Sequence, residues 1–271
     1  MRLMILRGGR ATSAARGDGF RCRRDALRPD TADGGVPAFG SGGRWTLVNI
    51  SAAVARQLDE DRLPQAAAGL ASPEVRAVVL TDAQLEHVSG LLALRGGAPI
   101  DLYATPAVFE ELSSNLPVLP ALQHYCGVHW RVIPVAGDRQ AAAFRVESLP
   151  LVEFIAVATD GRPLPHAAQH RQVVGDQVAL VVRDLASGCQ VFCAPGLTRP
   201  GALELEWMRR CDAVLLGAMP LDAARGPTGL DWIEELPARL KVMLVEADAP
   251  RTKALAGRGI AVAEDGMEFE L

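Results

Sequence analysis

The chain has 271 residues, of which 49% are hydrophobic and 22% charged, and its formal net charge is −4. This length suits one large globular domain with a sizeable core, or two small ones, and the acidic balance gives no basic surface for a nucleic acid partner. No apolar run approaches the roughly 18 residues that cross a bilayer, so we expect no membrane partner either.

The cysteines point to a reducing compartment. They number five and are scattered along the chain: Cys22, Cys126, Cys189, Cys193 and Cys211. An odd, dispersed set is not a disulfide framework, and the first residues lack the apolar core of a secretory signal. We therefore expect a cytoplasmic protein, and both a monomer and a homodimer are compatible with its sequence.

The first half of the chain contains several predicted strands and helices. Residues 1–6 are predicted to form a strand, and residues 7–43, rich in Gly, Arg and Asp, to be irregular or partly disordered. A strand is expected over 45–50, with Ser51 capping the helix that follows. Thr105 and Pro106 have the residue types that begin a helix.

The second half contains more closely spaced strands. Strands are predicted over 130–135 and 144–151, and their helix-free connection indicates antiparallel neighbours. Residues 153–176 are predicted to be a loop, and 178–183 and 190–194 to form a hairpin. Alternating helices and strands follow to the end of the chain. Pattern alone therefore predicts an α/β fold with a mixed sheet, its strands and outer helices supplied by two halves, 1–139 and 140–271.

The most informative stretch is a polar loop between a buried strand over 77–80 and a helical pattern from Val88. It carries Asp82, Gln84, Glu86 and His87. Carboxylate, amide and imidazole groups at such a strand end can hold a hard or borderline metal ion. The alternative is a solvated loop in which an acidic side chain caps the following helix.

This loop resembles the H-x-H-x-D-H metal loop of the metallo-β-lactamase superfamily, and more closely the D-x-Q-x-D-H form of the pyrroloquinoline quinone biosynthesis protein B family, with Glu86 in place of the second Asp. Further stretches resemble that family in the same order: W-T-L-V-N-I-S from Trp45, C-A-P-G-L from Cys193, C-D-A-V-L-L from Cys211, and the closing residues from Arg258. The resemblance implies one metallo-β-lactamase-like domain over 1–271, an αββα sandwich with its site between the halves.

The resemblance also implies metal ligands that this chain lacks. The family has a cysteine cluster for a structural zinc near the N-terminus, where this chain has Cys22 alone, so we expect no structural zinc. Gly217 occupies the place of a bridging aspartate. No histidine follows the strand that ends at Val245, and Glu246 and Asp248 are the nearest substitutes.

The loop residues Asp82, Gln84, Glu86 and His87 are then the remnant of a metal site, and any divalent metal held there is expected to be a single, weakly bound ion. No residue is singled out as catalytic. Under this interpretation His87→Ala leaves folding nearly unchanged and abolishes little activity, because little metal chemistry remains to be lost.

Two classes of function follow from the resemblance. The first is a role in biosynthesis of pyrroloquinoline quinone, or of a related peptide-derived cofactor, as a pseudoenzyme that binds or transports the cofactor or its precursor alongside other proteins of the pathway. The alternative is a metal-dependent hydrolase or oxygenase with a rearranged mononuclear site, built from Asp82, His87 and either Glu246 or Asp248.

Overall fold

The computed structural model describes residues 1–6, 35–41, 44–59, 77–95, 98–161, 163–165, 172–217, 231–245, 247 and 249–271. The described strands are β1 (Arg2–Leu6), β2 (Val36–Ser41), β3 (Arg44–Val48), β4 (Ala77–Val79), β5 (Ile100–Ala104), β6 (Val128–Val132), β7 (Ala141–Arg145), β8 (Val152–Ala158), β9 (Val178–Asp184), β10 (Gln190–Ala194), β11 (Ala213–Leu216), β12 (Leu240–Met243), β13 (Ala261–Val262) and β14 (Met267–Glu270).

The helices in the same part of the chain are short. They are α1 (Ala52–Asp59), α2 (Leu85–Val88), a 3₁₀ helix (Ser89–Arg95), α3 (Pro106–Ser114), α4 (Val118–Gln123), α5 (Ala202–Arg209), α6 (Asp231–Glu234) and α7 (Ala249–Ala256). None of these described helices combines the length and the hydrophobicity that crossing a lipid bilayer requires.

The strands form two seven-stranded sheets, in the orders β14-β1-β2-β3-β4-β5-β6 and β13-β12-β11-β10-β9-β8-β7. In the first sheet, the pairings from β14 to β3 are antiparallel and those from β3 to β6 are parallel. The second sheet repeats this scheme, antiparallel from β7 to β10 and parallel from β10 to β13. Each half of the chain therefore builds one sheet, except that β14 returns to the first.

Three apolar layers hold the sandwich together, because alternate residues of each strand point to opposite faces. Leu3 and Ile5 belong to the layer between the sheets, where Phe39 meets Phe154 edge to face with ring centroids 6.2 Å apart. Met4 and Leu6 point outward and pack beneath α1 to α4. A third layer joins the second sheet to α5, α6 and α7. This layering is the predicted αββα sandwich.

The structure confirms several predicted elements and corrects others. The hairpin formed by β9 and β10 is as predicted, as is the start of α3, where the Thr105 hydroxyl accepts a hydrogen bond from the Val108 amide at 3.2 Å. The stretch over 7–43 was expected to be irregular throughout, but its residues 36–41 form β2, whose first five residues are buried. Nothing in local composition marks this strand, which forms because β1 and β3 pair with it on either side.

Two predictions about the second half were wrong. β6 and β7 are not antiparallel neighbours, because β6 is the parallel partner of β5 at the edge of the first sheet and β7 begins the second. The expected loop over 153–176 begins instead with β8, whose residues Val152, Phe154 and Ala156 alternate into the core. Glu153 made this segment look polar, yet its backbone pairs with Arg145 on β7.

The polar loop after β4 is held against the turn after β3 by two backbone hydrogen bonds. The amide of Ile50 donates to the carbonyl of His87 at 2.8 Å, and the amide of Gly90 donates to the carbonyl of Ile50 at 3.0 Å. A Cβ on Gly90 would lie 2.4 Å from the carbonyl oxygen of Ser51. A residue without a side chain is therefore needed at this position.

We predict that Gly90→Ala lowers the free energy of unfolding by about 1–3 kcal/mol, because the added methyl group has no room in this backbone contact. Gly257→Ala is the matched control: it adds the same methyl at an exposed glycine whose nearest neighbours would lie 3.5 Å away. Chemical denaturation of both variants measures the difference. Equal stabilities of the two variants would contradict the prediction.

Candidate functional site

The site lies where parallel strands of both sheets end. Asp82 follows β4 in the first sheet, while Gly196 and Gly217 follow β10 and β11 in the second. The two sheets meet here, since a Cβ on Gly196 would lie 2.7 Å from Oδ2 of Asp82. Carboxyl ends of parallel strands are the usual place for ligand chemistry in open α/β sheets.

Thr81 joins the two halves at this edge. Its carbonyl accepts a hydrogen bond from the amide of Val178, the first residue of β9, at 2.8 Å. Its own amide donates to Oδ1 of Asn49 at 2.9 Å, and the Asn49 side-chain amide donates to its hydroxyl at 2.8 Å. Asn49 adopts a left-handed backbone conformation with φ of 64°, which asparagine tolerates better than most residues.

Asp82 and His87 form a buried pair. Nδ1 of His87 lies 2.7 Å from Oδ1 and 2.8 Å from Oδ2 of Asp82, and the side chains of His87 and Asp82 are 14% and 3% exposed. The Gln84 amide and the Thr81 hydroxyl donate to the same carboxylate, at 2.9 and 3.0 Å. Each oxygen of Asp82 thus accepts a hydrogen bond from the loop itself as well as contacting the imidazole.

Burial of Asp82 acts to raise its pKa, but His87, the Gln84 amide and the Thr81 hydroxyl outweigh burial and lower the pKa below its ordinary value. The carboxylate is therefore ionised near neutral pH although it is almost entirely buried. Its negative charge is balanced by its hydrogen-bond donors, and this balance depends on His87.

A cavity of about 350 Å³ opens beside this pair. Its described lining includes the polar or charged side chains of Asp82, Gln84, Glu110, Glu111, Asp176 and Gln177. Both halves contribute, the first through α3 and the loop after β4, the second through the segment that leads into β9. Thr105 ties these parts together, because its hydroxyl donates to the carbonyl of Gly175 at 2.6 Å.

Two of the four predicted loop residues are part of the described cavity lining, and the other two are not. Asp82 and Gln84 line the cavity, and the Gln84 side chain donates to the carbonyl of Pro163 at 3.5 Å. His87 contacts Asp82, while Glu86 lies on α2 and is not among the described lining. The remaining candidates, Glu246 and Asp248, lie outside the described residues, as does Cys22.

Gly217 is packed too tightly to be replaced by an acidic residue. A Cβ at this position would lie 1.5 Å from the carbonyl oxygen of Pro195. An aspartate at position 217 would therefore require the backbone after β10 to move. The conformation of this edge of the second sheet is built around a residue without a side chain.

The described residues do not fit a catalytic metal. Such a site needs about three protein ligands, and no three His, Cys, Asp or Glu side chains in the described part of the chain are placed to share an ion. Asp82 and His87 are instead directed at each other. A carboxylate bonded to Nδ1 orients an imidazole, which is a supporting role rather than a complete ligand set.

Sequence reasoning missed Gln177, Asp176 and the two glutamates of α3 as lining residues. Their position relative to the loop after β4 depends on how the two sheets pack, which no local pattern encodes. One feature of the sequence could have indicated that Gln177 lies at the site. Gln177 is next to a strand end, immediately before β9, and Asp82 is also near a strand end, shortly after β4.

Comparison with known proteins identifies relatives of this chain. The family described as "Beta-lactamase superfamily domain" matches residues 44–244. "Coenzyme PQQ synthesis protein B" from Azoarcus sp. is 32% identical over 268 aligned residues, which cover 87% of this chain and 86% of that protein. The protein of the same name from Cupriavidus taiwanensis is 32% identical over 305 aligned positions, covering 97% of this chain and 99% of that one.

Solved structures agree on the fold. Zn²⁺-bound PqqB from Methylobacterium extorquens superposes with a TM-score of 0.70 at 20% identity, with full coverage of both chains. A diphosphatase from the PhnP family superposes with a TM-score of 0.61 at 16% identity, covering 100% of this chain and 98% of that one.

The contact between Asp82 and His87 leads us to predict a larger effect of His87→Ala on folding than the sequence alone suggested. Removing the imidazole leaves a buried carboxylate without its main partner, so we predict a loss of about 3 kcal/mol in the free energy of unfolding. In an Asp82→Asn background the same substitution leaves no uncompensated charge, and its effect is expected to be smaller. A double-mutant cycle by denaturant unfolding measures the difference, and additive effects would contradict the pairing.

The pair also predicts how stability depends on pH. Because the folded-state pKa of Asp82 lies below the ordinary value of 3.8, its contribution to stability is fully present above pH 3.8 and is lost as the pH falls through the lower, folded-state pKa. The stability advantage of wild type over Asp82→Asn should therefore shrink below about pH 4. Unfolding measured between acidic and neutral pH tests this, and a constant difference would count against it.

Proposed function

Because this chain belongs to the coenzyme PQQ synthesis protein B family of the β-lactamase superfamily, we propose that it serves pyrroloquinoline quinone (PQQ) biosynthesis as a binding or carrier protein rather than through metal-dependent catalysis. The role in PQQ biosynthesis follows from the relatives, which share the name and most of the chain's length. The mode of action is inferred from the site. Cytoplasmic localisation remains a prediction from the cysteine content.

The packing of Gly217 carries this proposal. In the family resemblance this is the place of a bridging aspartate, and two-metal hydrolysis requires such a bridge to hold the ions about 4 Å apart. With Pro195 O only 1.5 Å from the position of a Cβ, the second sheet supplies no carboxylate from position 217. Gly196, after β10, similarly leaves no room for a side chain beside Asp82.

The Asp82–His87 pair supports the same conclusion. Asp82, Gln84 and His87 are the described residues that would have to hold a metal ion. Both oxygens of Asp82 already accept hydrogen bonds from the loop, and recruiting them to a metal would break the contacts that order it. In this proposal the role of the pair is structural, because it holds the loop between β4 and α2 against the cavity.

The cavity is the proposed place of binding. Its volume of about 350 Å³ lies within the range typical of sites for small molecules, roughly 300–1,000 Å³. It is shaped by both halves of the chain, so a ligand there would contact the loop after β4, α3 and the segment before β9 together. The ligand class is a cofactor or its precursor, and other proteins of the pathway are its expected partners.

The alternative, a metal-dependent hydrolase or oxygenase with a mononuclear site of Asp82, His87 and either Glu246 or Asp248, is not favoured by the relatives, whose shared name refers to the PQQ pathway. The metal-dependent alternative nevertheless makes a testable requirement of the residue at position 87. An imidazole ligand would be indispensable in such a site, whereas a binding protein needs only a hydrogen-bond donor at position 87 to hold Asp82.

We predict that His87→Gln retains function in cells. In a PQQ-producing host that lacks its own copy of this gene, the variant should restore PQQ to within about twofold of wild type, because the glutamine amide still donates to Asp82. Loss of a metal ligand would instead lower PQQ by at least about tenfold. PQQ is quantified in culture extracts, with immunoblots to equalise protein levels.

Two controls keep this test decisive. His87→Glu places a carboxylate against Asp82 and should fail through misfolding, visible as a loss of soluble protein. Metal content of purified wild type and His87→Gln is measured in parallel. A variant that is folded and abundant yet makes no PQQ would refute the carrier proposal and support a metal-dependent step.

A further inference from the structure

The two residues that precede β9, Asp176 and Gln177, both line the cavity, and the chain is held on either side of them. On one side, the carbonyl of Gly175 accepts a hydrogen bond from the Thr105 hydroxyl at 2.6 Å. On the other side, the first amide of β9 donates to the carbonyl of Thr81 at 2.8 Å. Asp176 and Gln177 are therefore a short span fixed at both ends.

Further contacts order the side chains within this span. Oδ2 of Asp176 accepts from the Val173 amide at 2.7 Å, and the Asp176 amide donates to the Val173 carbonyl at 3.1 Å, which closes a turn. The side chain of Gln177 fits between two glycines, since a Cβ on Gly161 would lie 0.8 Å from its Oε1 and a Cβ on Gly196 would lie 2.0 Å from its Nε2. Both polar side chains are thus held in one arrangement on the cavity wall.

The bond from Thr105 depends on the conformation of Gly175. This glycine has a φ of 100°, in the region that residues with side chains rarely adopt. A Cβ at this position would also lie 2.5 Å from the carbonyl oxygen of Val135. A residue without a side chain is therefore required for the chain to approach Thr105 in this way.

The Thr105 hydroxyl contacts both walls of the cavity. It accepts from the Val108 amide at 3.2 Å, which caps α3, and it donates to the carbonyl of Gly175. Ala107, in the first turn of α3, lines the cavity. Thr105 is fully buried, so water does not compete for its hydroxyl. One buried hydroxyl thus joins the start of α3 to the span of Asp176 and Gln177.

We propose that Thr105 is a positioning residue of the binding site, which keeps Asp176 and Gln177 in the arrangement that a ligand meets. The inference rests on the proposed binding role and adds how that site is held ready. A ligand binds more tightly to groups that are already ordered, and ordering the backbone of one residue corresponds to roughly a tenfold change in affinity. Without the Thr105 hydroxyl, this ordering has to occur on binding.

Three variants separate positioning from stability. Thr105→Val keeps the shape of the side chain and removes the hydroxyl, whereas Thr105→Ser keeps the hydroxyl. Ser51→Ala is the matched control, because the Ser51 hydroxyl accepts from the Val54 amide at 3.2 Å and caps α1 as Thr105 caps α3. Loss of either cap should lower the thermal midpoint by about 2–4 °C, and Thr105→Val should lower it further because the bond to Gly175 is also lost.

The first measurement follows the span itself. Hydrogen exchange of the purified full chain, measured by mass spectrometry, should show the amides of residues 176–178 exchanging at least about tenfold faster in Thr105→Val than in wild type. In Thr105→Ser and Ser51→Ala, the same amides should exchange within about twofold of the wild-type rate.

The second measurement is PQQ production in the host that lacks its own copy of this gene. Expression is kept low enough that PQQ output is proportional to the amount of folded protein. Per folded molecule, Thr105→Val should yield about tenfold less PQQ than wild type, while Thr105→Ser and Ser51→Ala stay within about twofold.

Four results would overturn the inference. They are unchanged exchange in Thr105→Val, a normal PQQ yield from that variant, a low yield from Thr105→Ser, and a loss of PQQ in Ser51→Ala as large as in Thr105→Val. If Thr105→Val does not accumulate, Thr105→Ala removes the same hydroxyl without adding a methyl group. Failure of both to fold would also overturn the inference, since the hydroxyl would then act on stability alone.

These results are separable from the proposed function. The carrier role fails if a folded His87→Gln protein makes no PQQ in cells. The positioning role fails in the comparison of Thr105→Val with Thr105→Ser and Ser51→Ala, whatever the His87 variant does.

Discussion

The hydrogen bond from the Val178 amide to the Thr81 carbonyl connects the two sheets at the edge where the site forms. Thr81 is also bonded to Asn49 on one side and to Asp82 on the other. Two strand ends, from different halves of the chain, are thereby fixed relative to each other. Asp82 lies one residue after Thr81 and Gln177 one residue before Val178, so this link sets their separation across the cavity.

The polar groups beyond that link have different roles. The carboxylate of Asp82 is buried and is stabilised by the imidazole of His87 and by backbone and hydroxyl donors of the loop. Gln177 and Asp176 line the cavity, and Asp176 accepts a hydrogen bond from the Val173 amide. Under the proposed binding role, the first group maintains the shape of the cavity and the second recognises what enters it.

Three glycines near the site leave space that a side chain would otherwise fill. Gly161 and Gly196 leave the space that the Gln177 amide occupies, and Gly217 lets the carbonyl of Pro195 approach closely. In a metal-dependent enzyme of this fold, side chains that project from the strand ends of the second sheet would supply ligands. Among the described residues, the corresponding positions after β10 and β11 are glycines without side chains, and this is the physical basis of the proposed binding role.

Much of the architecture was accessible from local pattern and resemblance. The αββα sandwich followed from the family resemblance, whereas the β9–β10 hairpin and the start of α3 follow from hydrophobic alternation, turn residues and helix capping, which act over a few residues. The strands β2 and β8 were missed, because their stability comes from neighbours distant in the chain: β1 and β3 flank the first, while β7 and β9 flank the second.

The same division holds for the site. The sequence by itself determined that Asp82, Gln84 and His87 share a loop after a buried strand, because that depends only on spacing along the chain. Only the tertiary structure decided that His87 binds Asp82, that Gly217 has no room for a side chain, and that Gln177 faces a cavity with Asp176 and Glu111. Those contacts arise from packing two sheets together, and the distances between them are set by long-range hydrogen bonds such as Thr81 to Val178 and Thr105 to Gly175.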